Sequence, residues 1–203
     1  FWLHQIETRA GGVLRPLSRL LAPFLAWKNR DTWTCMTRAA RVVCITPELA
    51  QGLRRTYWWN PPRVVALTYG FDTTPFTPRP ADQPPRLISV GRLTWDKGVL
   101  PMLEVLARLR DRRVRLDAVG PASDKVRRTL LKRAAELGVQ DRYALPGAAQ
   151  NEDLPGLLAG ASAFLFPSTH AEGLGKVVLE SMAAGVPVVA YRLPVLEGII
   201  EDG

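Results

Sequence analysis

Past residue 85 the chain alternates short apolar runs with amphipathic stretches. The runs fall at residues 87–90, 116–119, 144–145, 163–166 and 186–190. Between them Val99, Leu103, Leu106 and Leu109 recur at three- and four-residue steps, as do Val126, Leu130, Leu131 and Ala134, and then Val178, Leu179, Met182 and Ala183. That period is the signature of a helix with one buried face, whereas the short unbroken runs suit strands covered on both sides. Strand centres spaced ~20 to 30 residues apart predict βαβ units, hence a parallel, doubly wound sheet with helices on both faces.

Before residue 75 the pattern is weaker. It predicts a helix over 14–27, a strand at 41–45, a helix over 47–57 and a strand at 64–67, the closing part of another α/β domain. Thr46 followed by Pro47 supplies a helix start, with a threonine cap and a proline whose missing N–H costs nothing there. Residues 75–85 hold five prolines and no apolar period, which predicts an extended linker. The domains are therefore read as 1–74, a linker at 75–85, and 86–203, the last incomplete at its end. The chain opens on Phe1 and is read as a fragment.

Composition narrows the classes. With 203 residues and 47% apolar content the chain can bury a core, and neither wholesale disorder nor a multi-span membrane protein fits. Two cysteines and two histidines build neither a disulfide scaffold nor a four-ligand zinc site, so a cytoplasmic location is the expectation. The apolar stretch 13–27, broken by Arg15, Pro16, Arg19 and Pro23, matches no signal peptide. Residues 1–85 carry 11 Lys and Arg against 5 Asp and Glu, and the remainder 16 against 14, so +6 of the net +8 lies in the first part. A basic face attracts phosphate on a lipid surface, a nucleic acid or a nucleotide; charge alone does not choose.

In doubly wound folds ligands bind outside the carboxyl ends of the strands. Two such junctions stand out. Gly91, Arg92, Leu93, Thr94, Trp95, Asp96, Lys97 and Gly98 follow the first strand of the second domain, placing two cations beside a helix start that itself favours anions. A phosphate or diphosphate suits that turn; two solvated cations on an ordinary turn are the plain alternative. The second junction runs from Ser168 through His170, Glu172, Gly173, Leu174 and Gly175 into a helix carrying Glu180. It is not a P-loop, since His170 and Val177 stand where glycine and Ser or Thr are required, and Val178 replaces the third glycine of a dinucleotide fingerprint. On one continuous helix Glu172 and Glu180 would lie ~12 Å apart along the axis, too far for a glycosidase carboxylate pair. They suit the two ends of an elongated ligand, or else a dipole-complementing and a surface glutamate.

The run EGLGKVVLESMAAGVPVVA (172–190), the FPS before it, GRLTWDKG (91–98), the segment leading into FPS, and VVALTYGFDTTPF (64–76) together resemble the retaining GT-B glycosyltransferases of the glycogen-synthase-like group, glycosyltransferase family 4 or group 1. The resemblance spans roughly residues 41–203. It implies two Rossmann-like domains, 1–74 being the remnant of the acceptor side and 86–203 binding a nucleotide diphosphate sugar. By position it assigns Arg92 and Lys97 to the donor diphosphate, Glu172 to the donor sugar and Glu180 to the ribose, with Gly91, Gly173, Leu174 and Gly175 as backbone contacts. His4, after Phe1, Trp2 and Leu3, and His170, beside Glu172, are further candidates. The implied reaction is hexosyl transfer with retention to a saccharide, lipid-linked or small-molecule acceptor, with no cofactor and no metal, in keeping with the lack of an Asp-x-Asp motif. Departures exist: Tyr69 and Phe71 stand where the family has Asn and Val, and Thr46 where serine is common. Trp58 and Trp59 beside Arg54 and Arg55 also suggest contact with nucleic acid, another domain or a membrane surface, and of these nucleic acid is set aside. Alternatives remain: a fragment that binds nucleotide sugar without turnover, an epimerase or phosphorylase of the same fold, and a basic nucleic-acid or membrane module.

Overall fold

The computed structural model describes residues 30–58, 60–67, 70–169, 175–197 and 199–201. They divide into two compact units, with the boundary between Gly70 and Phe71. In the first unit α1 (Arg30–Arg38) precedes β1 (Val42–Cys44), α2 (Pro47–Thr56) and β2 (Val64–Ala66). The helix predicted over 14–27 lies outside the described residues. Helix α1 was not predicted from the sequence, and none of its residues is buried. At the start of α2 the backbone N–H of Leu49 donates to Thr46 Oγ1 at 3.2 Å, and Pro47 occupies the first turn. Strands β1 and β2 pair in parallel with Val42 opposite Val64, and α2 packs Ala50 against Cys44 and Val64.

The second unit is built on five strands: β3 (Arg86–Val90), β4 (Arg115–Val119), β5 (Tyr143–Gly147), β6 (Ala163–Phe166) and β7 (Val188–Ala190). All neighbours are parallel, in the order β5-β4-β3-β6-β7. Helices α3 (Val99–Arg108) and α4 (Asp124–Glu136) bury Met102, Leu103, Leu106, Leu130 and Ala134 on one face of the sheet, against Leu116 and Ala118. The short α5 (Leu154–Leu158) and α6 (Lys176–Ala183) cover the other face, where Leu158 and Val178 meet Ile88, Val119, Phe164 and Phe166. Alternation along β4 explains the two layers, since successive side chains point to opposite faces.

Strand β5 is longer than its apolar run suggests. It includes Pro146, which is tolerated because β5 is the sheet edge and pairing slips by one residue there, Asp117 facing Ala144 but Val119 facing Gly147. Residues 75–85 form no helix or strand, yet they belong to the second unit: Asp82 N–H donates to the Gly160 carbonyl at 2.7 Å, and Phe76 packs on the second core cluster.

Candidate active site

The chain winds outward from β3 through β4 to β5, then returns to place β6 on the other side of β3. Where two parallel neighbours lead in opposite directions, the connections diverge and leave a crevice at their carboxyl ends. That crevice is present. A cleft of about 160 Å³ opens there, lined by Gly91, Arg92 and Lys97 after β3, by Ser168 after β6, and by Gly175 and Val177 at the start of α6.

Several contacts hold its rim. The residues between β3 and α3 form a 3-10 turn over Trp95–Lys97 that ends on Gly98 with φ 70° and ψ 29°. A side chain there would be strained, and its Cβ would collide with the Pro167 carbonyl, so glycine lets the β3 turn close on the strand-β6 loop. The Asp96 carbonyl then accepts from the Thr169 N–H at 2.9 Å, from Thr169 Oγ1 at 3.2 Å and from Ser168 Oγ at 3.4 Å. Ser168 is buried. The loops after β3 and β6 are thus tied at one oxygen, and Arg92 and Lys97 are presented from a braced turn.

Two helices begin at this crevice without a capping side chain. Gly98 is the N-cap of α3 and Gly175, at φ 62° and ψ 56°, the N-cap of α6. Their first turns carry the positive end of the helix dipole. Two such ends and two cations around one cleft make a site for a multiply charged anion. Among the described residues no three His, Cys, Asp or Glu side chains gather into a metal-binding group. No described helix is long and apolar enough to cross a membrane.

Of the residues singled out from sequence, Gly91, Arg92, Lys97 and Gly175 therefore share one cleft. His4, His170, Glu172, Gly173 and Leu174 lie outside the described residues. Glu180 does not line the cleft. It is 4% exposed, one turn into α6, and its Oε1 meets Lys176 Nζ at 3.0 Å. Sequence reasoning gave Lys176 no role, although its i,i+4 spacing to Glu180 announces the pair. Ser168 and Thr169 were likewise missed as braces. A hydroxyl pair directly after a strand was the available signal, but its acceptor lies 72 residues away.

Residues 71–203 match the family described as glycosyl transferases group 1. The chain is 34% identical over 167 residues to the lipopolysaccharide core biosynthesis glycosyltransferase LpsE of Rhizobium meliloti, covering 80% of this chain and 47% of LpsE. Among solved structures it is similar to Anabaena Alr3699/HepE in complex with UDP and glucose, with TM-score 0.73 and 22% identity over 92% of this chain and 54% of that one. It is also similar to the C-terminal domain of the group 1 protein LpcC from Francisella tularensis, with TM-score 0.57 and 21% identity over 66% and 76% of the two chains. The chain thus spans about half the length of LpsE. Its fold is that of the GT-B glycosyltransferases, and with two thirds of its length matched at the level of the family, the chain belongs to the group 1 glycosyltransferases.

Proposed function

We propose that residues 86–203 bind a nucleotide diphosphate sugar and that residues 1–74 are part of the acceptor side of a hexosyltransferase. The reading rests on one observation: two cations and two uncapped helix N-termini converge on the cleft at the β3/β6 strand reversal. The relative HepE, crystallised with UDP and glucose, is in keeping with such a ligand. In the proposed reaction the bond from the sugar's anomeric carbon to the diphosphate breaks, and a hydroxyl of a saccharide, lipid-linked or small-molecule acceptor forms the new bond with retention at that carbon, its proton passing to the departing diphosphate. Negative charge grows on the departing diphosphate. Arg92, Lys97 and the two helix N-termini stabilise that charge more in the transition state than in the ground state, which is how binding becomes rate. These groups supply the positive charge from the protein, so the proposed transfer needs no metal and no cofactor. Glu180 would hold the ribose, its carboxylate turned toward the start of α6 by the contact with Lys176. Glu172, Gly173 and Leu174 complete the sugar end in this reading, and His4 and His170 are held as further candidates there. The location proposed is cytoplasmic, with peripheral contact at the membrane.

Because the chain spans about half of its relatives' length, binding without turnover is the narrower reading, and it is tested first. Calorimetry with UDP, GDP and ADP should show one base bound best. Arg92→Ala with Lys97→Ala should weaken the preferred diphosphate by about tenfold or more, at ~1.5 to 3 kcal/mol for a hydrogen bond to a charged group, and should leave the free nucleoside unaffected. Glu180→Ala should weaken the nucleoside itself. Equal diphosphate affinity in wild type and the double variant would remove the cleft from the reaction.

A further inference from the structure

The first unit holds a second basic cleft that the proposed transfer does not use. It has a volume of about 550 Å³ and lies at the amino ends of β1 and β2, lined by Arg41, Arg54 and Arg63 together with Trp58, Pro61 and Pro62. Its position follows from the register. Val42 pairs with Val64, so Arg41 and Arg63, each one residue earlier, stand abreast on neighbouring parallel strands. Such strands run ~4.8 Å apart, which sets the two residues side by side. Arg54 reaches the same place from the last turn of α2, donating through Nη2 to the Val64 carbonyl at 2.6 Å.

None of the three guanidiniums has an ion pair with a described carboxylate. Arg41 spends one donor on the Ala40 carbonyl and Arg54 one on Val64, leaving most of their five donors each for something else. By contrast, Arg86, Arg113 and Arg133 each meet carboxylates, and Arg142 donates to three backbone carbonyls. Beside the guanidiniums lie an apolar wall of Pro61 and Pro62 and the Trp58 indole, which is 59% exposed. Forked donors matching a tetrahedral anion, next to a flat apolar surface, describe a receptor for a phosphate carried on an organic body.

We propose that this cleft is a second phosphate site, taking the phosphomonoester of a lipid headgroup or of a soluble organic phosphate. The anion sits between Arg41 and Arg63 and is also met by Arg54, with its organic part on Trp58 and the prolines.

The test uses the full chain carrying Arg92→Ala and Lys97→Ala, so that the donor cleft does not contribute and the proposal stands or falls apart from the glycosyl-transfer reading. One arm titrates inorganic phosphate by calorimetry and by thermal melting. The other measures flotation with vesicles of phosphatidylcholine alone or with phosphatidic acid. Binding is expected to be saturable, to raise the melting temperature, and to fall about tenfold or more in Arg41→Lys with Arg63→Lys. Those variants keep the net charge but lose the fork, and Arg54, which braces Val64, is left intact to protect the fold. Saturation by phosphate at equal strength with or without vesicles assigns a soluble source, and preference for phosphatidic acid vesicles assigns a lipid one. No saturable binding in either arm, or equal binding by the lysine variants, overturns the site, as does binding that tracks net charge alone.

Discussion

Tyr143 shows how a single group can be at odds with its surroundings. Its side chain is buried at the start of β5, and its hydroxyl has no hydrogen-bond partner among the described residues. Burial drives the phenol pKa upward, with Arg127 opposing weakly. A buried unpaired hydroxyl costs roughly 1 to 3 kcal/mol, whereas phenylalanine of the same shape has nothing to leave unpaired. Tyr143→Phe should therefore raise stability by about 1 kcal/mol in urea unfolding at neutral pH. The pH dependence has a definite sign. The unfolded phenol ionises near ~10 and the folded one higher, so the unfolded state binds fewer protons in that window and wild-type stability falls as pH rises through ~10. That alkaline loss should shrink in Tyr143→Phe, and an unchanged alkaline limb would show that the hydroxyl is not the group responsible. The sequence shows a tyrosine opening a strand and nothing more, because its lack of a partner depends on side chains brought together only by the fold. Thr46 is the contrasting case: its acceptor role toward Leu49 spans three residues and was legible from the Thr-Pro pair alone.

Among elements the same distinction holds, between order carried by local pattern and order carried by distant contact. Helices α3, α4 and α6 were legible because one face of each is buried and the apolar residues repeat accordingly. Helices α1 and α5, of nine and five residues, were not. The cation turn after β3 was legible from its place at a strand end, yet the ties that brace it join residues about seventy positions apart. Arg86 is a similar case. It opens β3, meets Asp82 at 2.7 Å, and donates to the Leu157 and Ala159 carbonyls at 2.9 and 3.0 Å, fastening the proline-rich stretch to the sheet. Gly98 makes the consequence measurable. Gly98→Ala forces a left-handed residue, costing ~1 to 2 kcal/mol, and drives a methyl group into the Pro167 carbonyl, so one of the two loops must move. We expect a loss of about 2 kcal/mol or more in stability together with weaker nucleotide diphosphate binding, because Lys97 and Ser168 flank the displaced contact. Loss of stability with binding intact would mean that the Asp96 ties do not position Lys97.

At the scale of the whole molecule, the two units differ in what they bury and in what charge they carry. Both large apolar clusters lie within residues 71–203, as does every described residue lining the cleft at the β3/β6 strand reversal. The described core of the first unit is the small cluster around Cys44, Ala50 and Val64. Charge divides the opposite way. Of the 27 Lys and Arg and 19 Asp and Glu, 10 and 3 fall in residues 1–70, so that unit holds +7 of the net +8 and the other +1. A unit with its own core is expected to fold alone, and a nearly neutral one to lack long-range attraction for anionic surfaces. Residues 71–203 expressed by themselves should accordingly unfold in one cooperative transition and bind the preferred nucleoside diphosphate within about threefold of the full chain, a difference of ~0.6 kcal/mol. They should not float with phosphatidic acid vesicles at all. Should the isolated unit lose nucleotide binding while remaining folded, the donor site needs residues from 1–70. Should it keep vesicle binding, the basic cleft is not what meets phosphate.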